Sequence, residues 1–483
     1  MTSIPRYQIG FSTLEQEVHL DQVPVTGHIP AWLQGTLVRN GPAKFEIGRR
    51  RYRHWFDGLA MLHKFSFRGQ HVNYSNRFLR SRSFQEATAS DKISRSEFAT
   101  DPCRSLFGRV LSIFFPRFTD NACVNVTMLA SRYVALTETP LPILFDPETL
   151  RTLGVFNDDG QLQGQISTAH PHFDFRGDSS FLYRIELARK SRYHVFCLPG
   201  RNRGHSRLVG SVSIDEPAYI HSFGMSERYV VLAECPLVTT PFKQLLRGRP
   251  YIENYEWKPE RGTRFWVLSK DNGKLIGRFE TEAVFAFHHV NAFEQGDDLV
   301  LDLVTYPNPS IIDALYLDNL RNKSEISTGQ LRRYRLNLQT RAAAGEFLSN
   351  ESLELPRINY QAHNTRPYRY VYGTGNRLPG NFHDQLIKIN VHDGWSKTWS
   401  EAECYPGEPV FVAAPDRSKE DAGVILSVVL DAKKGASFLL ILDAESFEER
   451  ARAEVPHHIP FGLHGQYFGD LAQVITGDHP SVN

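Results

Sequence analysis

Short β-type segments recur along the whole 483-residue chain while helical periodicity is scarce, and this pattern points to an all-β architecture. RYVALTET (132–139), RYVVLAEC (228–235), DDLVLDLVTY (297–306), GVILSVVL (423–430) and SFLLILDA (437–444) each mix Val, Leu, Ile or Tyr between turn residues. The first two resemble each other and start 96 residues apart, a hint of repeated supersecondary units. With no strict short-period repeat, a β-propeller with degenerate blades is a candidate. The best helical candidate is SIIDALYLDNLRN (310–322). No low-complexity linker divides the chain, so residues 1–483 read as one large β domain decorated by loops.

A net charge of +1 lacks the basic footprint of a nucleic-acid partner. No apolar run reaches the roughly 18 to 20 residues needed to cross a bilayer, and the N-terminus lacks the pattern of a secretory signal. The five cysteines are scattered and form no CxxC pair, which fits free thiols in a reducing, cytoplasmic setting.

Dinucleotide, Walker A and G-x-S-x-G motifs are missing. What remains is a set of histidines in apolar or turn-bounded contexts: AHPH (169–172), YIHSFG (219–224), FHHVN (287–291) and FGLHG (461–465). Ligands so far apart in sequence suit a site on a propeller axis. Taken singly, each is more readily a satisfied core or surface imidazole.

Together these four signatures resemble those of the carotenoid cleavage oxygenase family. VRNGPAKFEIG (38–48), HWFDGLAMLHKF (54–65), LELPRINY (353–360) and YPGEPVFVAAPD (405–416) extend the resemblance, as does the stretch from 421 to 465. It covers about residues 11–470 and is nearest to the animal-type branch, which holds β-carotene oxygenases and a retinoid isomerohydrolase.

The resemblance implies a seven-bladed β-propeller, a loop and helix cap, and one non-haem Fe(II) per chain on the axis. Carried over, the ligands are His170, His221, His288 and His464, with His172 and His289 as non-ligating neighbours. Glu138, Glu354 and Glu408 would hold the second ring nitrogen of His221, His288 and His464 respectively. Phe56, Thr137, Tyr219 and Tyr306 would line the substrate site.

The implied reaction is O2-dependent cleavage of a carotenoid or apocarotenoid to aldehydes, most specifically at the central 15,15' bond to give retinal. The alternatives are eccentric 9,10 cleavage, ester isomerohydrolysis without O2, and a non-catalytic propeller. Leu355 and Leu463 stand where the isomerohydrolase carries phenylalanines. An insoluble substrate implies peripheral membrane contact, for which 105–118 and 236–250 are candidates, with Cys103 a position for lipid attachment.

Overall fold

The computed structural model describes residues 6–102, 119–157, 162–200, 205–241, 243, 249–322, 325–378, 380–416 and 418–469. Cys103 and the stretch 105–118 lie outside them, as does most of 242–248.

Seven antiparallel sheets follow one another around a ring. Blade 1 is built on Gly35–Lys44, Leu59–Arg68 and His71–Phe78, and blade 2 runs from Asn125–Leu129 to Thr152–Val155. Blade 3 spans Ile166–Ser167 to Arg207–Ile214, and blade 4 runs from Gly224–Met225 to Leu275–Thr281. Blade 5 covers Phe285–Gln295 to Ala343–Ser352, blade 6 Glu354–Arg357 to Ser396–Trp399, and blade 7 Cys404–Pro406 to Glu449–Val455.

The ring is closed twice. Gly465–Phe468, from the far end of the chain, pairs with Gly35–Lys44 in blade 1. Val25–Gly27 pairs with Glu449–Val455 at the outer edge of blade 7. Each sheet thereby covers an edge that would otherwise present unpaired backbone groups.

The strands follow from the sequence pattern. Central ones such as Gln385–Asn390 are buried along their whole length, whereas Val410–Ala413 alternates buried with half-buried positions. Between Asn125–Leu129 and Arg132–Leu136 the turn is only two residues long, and Ala130 and Ser131 both take positive φ (46° and 60°). Those are the dihedral signs of the hairpin turn that matches strand twist.

The segment 310–322 is not one helix. It forms Ser310–Ala314 and Leu317–Arg321, interrupted where His54 bridges to Tyr316. The helix Arg82–Ser90, capped by the Ser81 hydroxyl, was not anticipated from the sequence.

Candidate metal centre and substrate cavity

All seven blades deliver one residue to the same neighbourhood of the axis. His464 immediately precedes the inner strand of blade 1, and Glu138 follows Arg132–Leu136 of blade 2. His170, His221 and His288 come from the inner edges of blades 3, 4 and 5, Glu354 and Glu408 from those of blades 6 and 7.

The four imidazoles each offer one nitrogen to a group of atoms lying within 4.8 Å of one another. His170 Nε2 stands 2.9 Å from His221 Nε2, and His288 Nε2 stands 3.2 Å from His464 Nε2. The opposite nitrogens of three rings are held by carboxylates. Nδ1 lies 2.6 Å from Glu138 Oε1 in His221, 2.6 Å from Glu354 Oε2 in His288 and 2.7 Å from Glu408 Oε1 in His464.

A carboxylate only accepts, so each of these rings carries its proton on Nδ1 and turns a bare Nε2 lone pair inward. Lone pairs converging at such distances repel unless a cation lies among them. The donor set therefore fits a divalent metal with nitrogen preference, iron included. His170 has no glutamate; its backbone N–H donates to the Thr168 hydroxyl at 2.9 Å.

Electrostatics favour the ligating form. Burial, and then repulsion from His464, His221 and His288, pushes the His170 pKa well below its ordinary value. Burial outweighs Glu408 at His464 and brings it down to about 4, so the ring is neutral at physiological pH.

The carboxylates are supported in turn. Burial alone would raise Glu354, but His288, with hydrogen bonds from the Tyr306 hydroxyl (2.7 Å) and the Leu355 N–H (2.8 Å), holds it down to about 2. Leu355 adopts φ 49°, a conformation a leucine takes only under constraint, and the sheet register shifts there between Glu354 and Arg357. That kink turns the Leu355 N–H back onto the Glu354 side chain.

Glu408 is buried too, and the guanidiniums of Arg357 and Arg39, together with His464, hold it well below the usual carboxylate range. The segment carrying His464 packs so closely that a Cβ on Gly41 would stand 2.4 Å from Gly462 Cα. Any side chain there would displace the histidine two residues on.

A cavity of about 270 Å3 opens onto the centre. Phe56, Thr137, Tyr306, Phe287, Leu355 and Leu463 are among its walls, with His221, His288 and His464. Tyr219, expected beside them, is not a wall residue. It is 1% exposed, packs against Phe98 and Phe287, and donates to Glu138 Oε1 at 2.8 Å. Its aromatic body fills space behind the wall while its hydroxyl orients the carboxylate.

The paired histidines turn elsewhere. His172 lies 2.9 Å from the Tyr360 hydroxyl and 2.8 Å from the Phe223 carbonyl, and His289 lies 2.9 Å from the Ser222 hydroxyl. Arg39, Arg357 and His383 were missed from the sequence. Arg39, in the NGP strand, and Arg357 are ordinary charged residues until the fold brings Glu408 between them.

Residues 11–469 match the family model described as retinal pigment epithelial membrane protein (RPE65). The mitochondrial carotenoid-cleaving dioxygenase of Mustela putorius furo is 34% identical, covering 94% of this chain and 95% of its own. The beta,beta-carotene 15,15'-dioxygenase of Homo sapiens is 35% identical, covering 92% of each. Among solved structures, cobalt-substituted Synechocystis ACO superimposes with a TM-score of 0.86 at 28% identity, over 96% of this chain and 98% of that one.

Proposed function

Because the chain belongs to the retinal pigment epithelial membrane protein (RPE65) family, we propose that it is a non-haem iron dioxygenase cleaving a double bond of a carotenoid or apocarotenoid to two aldehydes. The observation that carries this reading is the convergence of four imidazole nitrogens within 4.8 Å at the wall of a largely apolar cavity. The names of the relatives, carotenoid-cleaving and 15,15'-dioxygenases, support it.

His170, His221, His288 and His464 would hold one Fe(II) per chain, which supplies activation of O2. Glu138, Glu354 and Glu408 fix the ring tautomers and keep Nε2 available. Phe56, Phe287 and Tyr306 hold the polyene and keep water from it, and Thr137 lies next to Glu138 on the same wall. No side chain is required to move a proton on the hydrocarbon, since both oxygen atoms enter the two carbonyl products.

Central cleavage at the 15,15' bond, giving retinal, is the specific form of the reading, and eccentric 9,10 cleavage is its competitor. Leu355 and Leu463 make aliphatic walls, which offer no aromatic face to a cationic intermediate and so support oxygenation over ester isomerisation. Peripheral membrane contact through 105–118 and 236–250 belongs to the same reading; among the described residues no helix is long and apolar enough to cross a membrane.

The test is mass-resolved chromatography of products from the Fe(II)-loaded protein given β-carotene in micelles under O2. Retinal as the sole product is expected. A longer apocarotenal with an ionone fragment would move the bond. No product from carotenes or apocarotenals, with iron bound, would overturn the oxygenase reading.

A further inference from the structure

One ring in the cavity wall carries a nitrogen that the protein does not use. His383 lines the cavity, and its ring stacks on Phe382 with centroids 5.1 Å apart and 16° between planes. Phe382 is itself wedged among Phe11, Trp55 and Phe461, so the plane of the imidazole is fixed.

On its other side, His383 Nδ1 lies 2.9 Å from the Thr374 hydroxyl. That hydroxyl has a single proton and donates it to the Glu354 carbonyl at 3.2 Å. Toward the ring it therefore accepts, and the imidazole proton sits on Nδ1. Thr374 is 0% exposed, so solvent does not compete for this arrangement.

Nε2 is left as a lone pair to which no described residue donates. It is not among the sealed, unpartnered atoms either, unlike Nε2 of His289, and the ring it belongs to lines the cavity. Burial brings the His383 pKa down to about 4, so the ring is neutral at physiological pH.

We propose that His383 is a specificity-determining residue whose Nε2 accepts a hydrogen bond from a substrate hydroxyl, selecting a polyene alcohol over the matching hydrocarbon or aldehyde. This rests on the carotenoid-cleavage reading above and names the substrate class for it. A hydrocarbon lodged against the ring shuts out water and leaves the lone pair unpaired. An aldehyde sets a second acceptor against the first. Only the alcohol supplies the missing donor. Thr374 acts here as a positioning residue, because it sets the tautomer.

The experiment compares a polyene alcohol, aldehyde and hydrocarbon of equal length on the Fe(II)-loaded wild type and on His383→Leu, His383→Gln and Thr374→Val. The wild type is expected to favour the alcohol over the hydrocarbon by about 10- to 100-fold in kcat/KM. His383→Leu should abolish that preference, mainly through KM. His383→Gln, which keeps an acceptor near the Nε2 position, should retain part of it, and Thr374→Val should weaken it.

Equal kcat/KM for the three substrates in the wild type, or a preference that survives His383→Leu, would overturn the assignment while leaving carotenoid cleavage intact. Equilibrium binding of the same three compounds, read by tryptophan fluorescence without added iron, separates the two claims. Should nothing be cleaved, the cleavage reading falls. Alcohol-selective binding lost in His383→Leu would still support the role of His383, and unselective binding would overturn it.

Discussion

Two sets of enclosed histidines in this protein differ in where each ring nitrogen goes. His221, His288 and His464 give Nδ1 to a carboxylate and point Nε2 at the axis. His54 and His63 are enclosed at least as well and His172 and His289 are half-buried, yet all four bind neutral groups: the Ile312 carbonyl, the Tyr74 hydroxyl, the Phe223 carbonyl and the Ser222 hydroxyl. Burial and aromatic surroundings therefore do not mark a metal ligand. What sets His221, His288 and His464 apart is a buried carboxylate behind the ring, which fixes both the tautomer and the direction of the free lone pair. His170 belongs to the first set by position alone, since its three companions and not a glutamate place it there.

The sharpest way to break this comparison uses two neighbours on one strand. His288→Ala should reduce iron content after Fe(II) reconstitution to near zero, measured by elemental analysis, whereas His289→Ala should keep it. The opposite outcome would show that the wrong member of the pair has been assigned to the metal.

Next in size is the carboxylate itself. Glu354→Gln should lower metal affinity or turnover by about 10- to 100-fold, the usual cost of losing such an outer partner. Metal retention during dialysis against a chelator reads the affinity directly. Tyr306→Phe removes one of the hydrogen bonds that hold Glu354 and should cost about 5-fold in the same assay. Unchanged metal retention in Tyr306→Phe together with lowered turnover would mean that the tyrosine acts on the substrate rather than through the carboxylate.

The smallest expected effect belongs to the second set. Burial pushes the His54 and His63 pKa values from 6.5 down to about 3. Their contribution to stability is complete above about 6.5 and is lost progressively as the pH falls towards about 3. The melting temperature should drop along that descent, and His63→Gln should make the drop shallower. An unchanged slope would mean that His63 does not stay neutral in the folded protein.

Much of this contrast is written locally, and some of it is not. The strands and the doubled histidine HH are visible because a strand alternates faces, so HH puts one imidazole on either side; the two rings of HPH part only because His170 lies before the strand that begins at His172. LELP and GEP are less legible. A glutamate beside a proline reads as an exposed turn, but Glu354 is 6% exposed and Glu408 only 1%. Nothing near Glu408 in sequence announces Arg39 or Arg357, its two cationic neighbours.

Tyr219 differs in the other direction, since the resemblance implied a wall position and the ring lies one layer back, its hydroxyl on Glu138. The segment 310–322 shows the limit of periodicity, which registers apolar spacing but not the bridge from His54 to Tyr316 that interrupts the helix. His383 was silent for the same reason. Its meaning depends on Thr374, in the strand Tyr370–Gly375, and on which way a single hydroxyl proton points.

The double closure of the ring has a consequence for the order of assembly. His464 sits immediately before the strand that docks onto blade 1, so the fourth imidazole arrives only when the circle shuts. No earlier, partly folded form can hold all four. An ion gripped from blades 1, 3, 4 and 5 would then act as a keystone: parting the closing seam would require giving up a ligand. Loading with metal should accordingly slow the opening of that seam more than the fraying of any outer strand, making the most distant contact in the chain also its most durable.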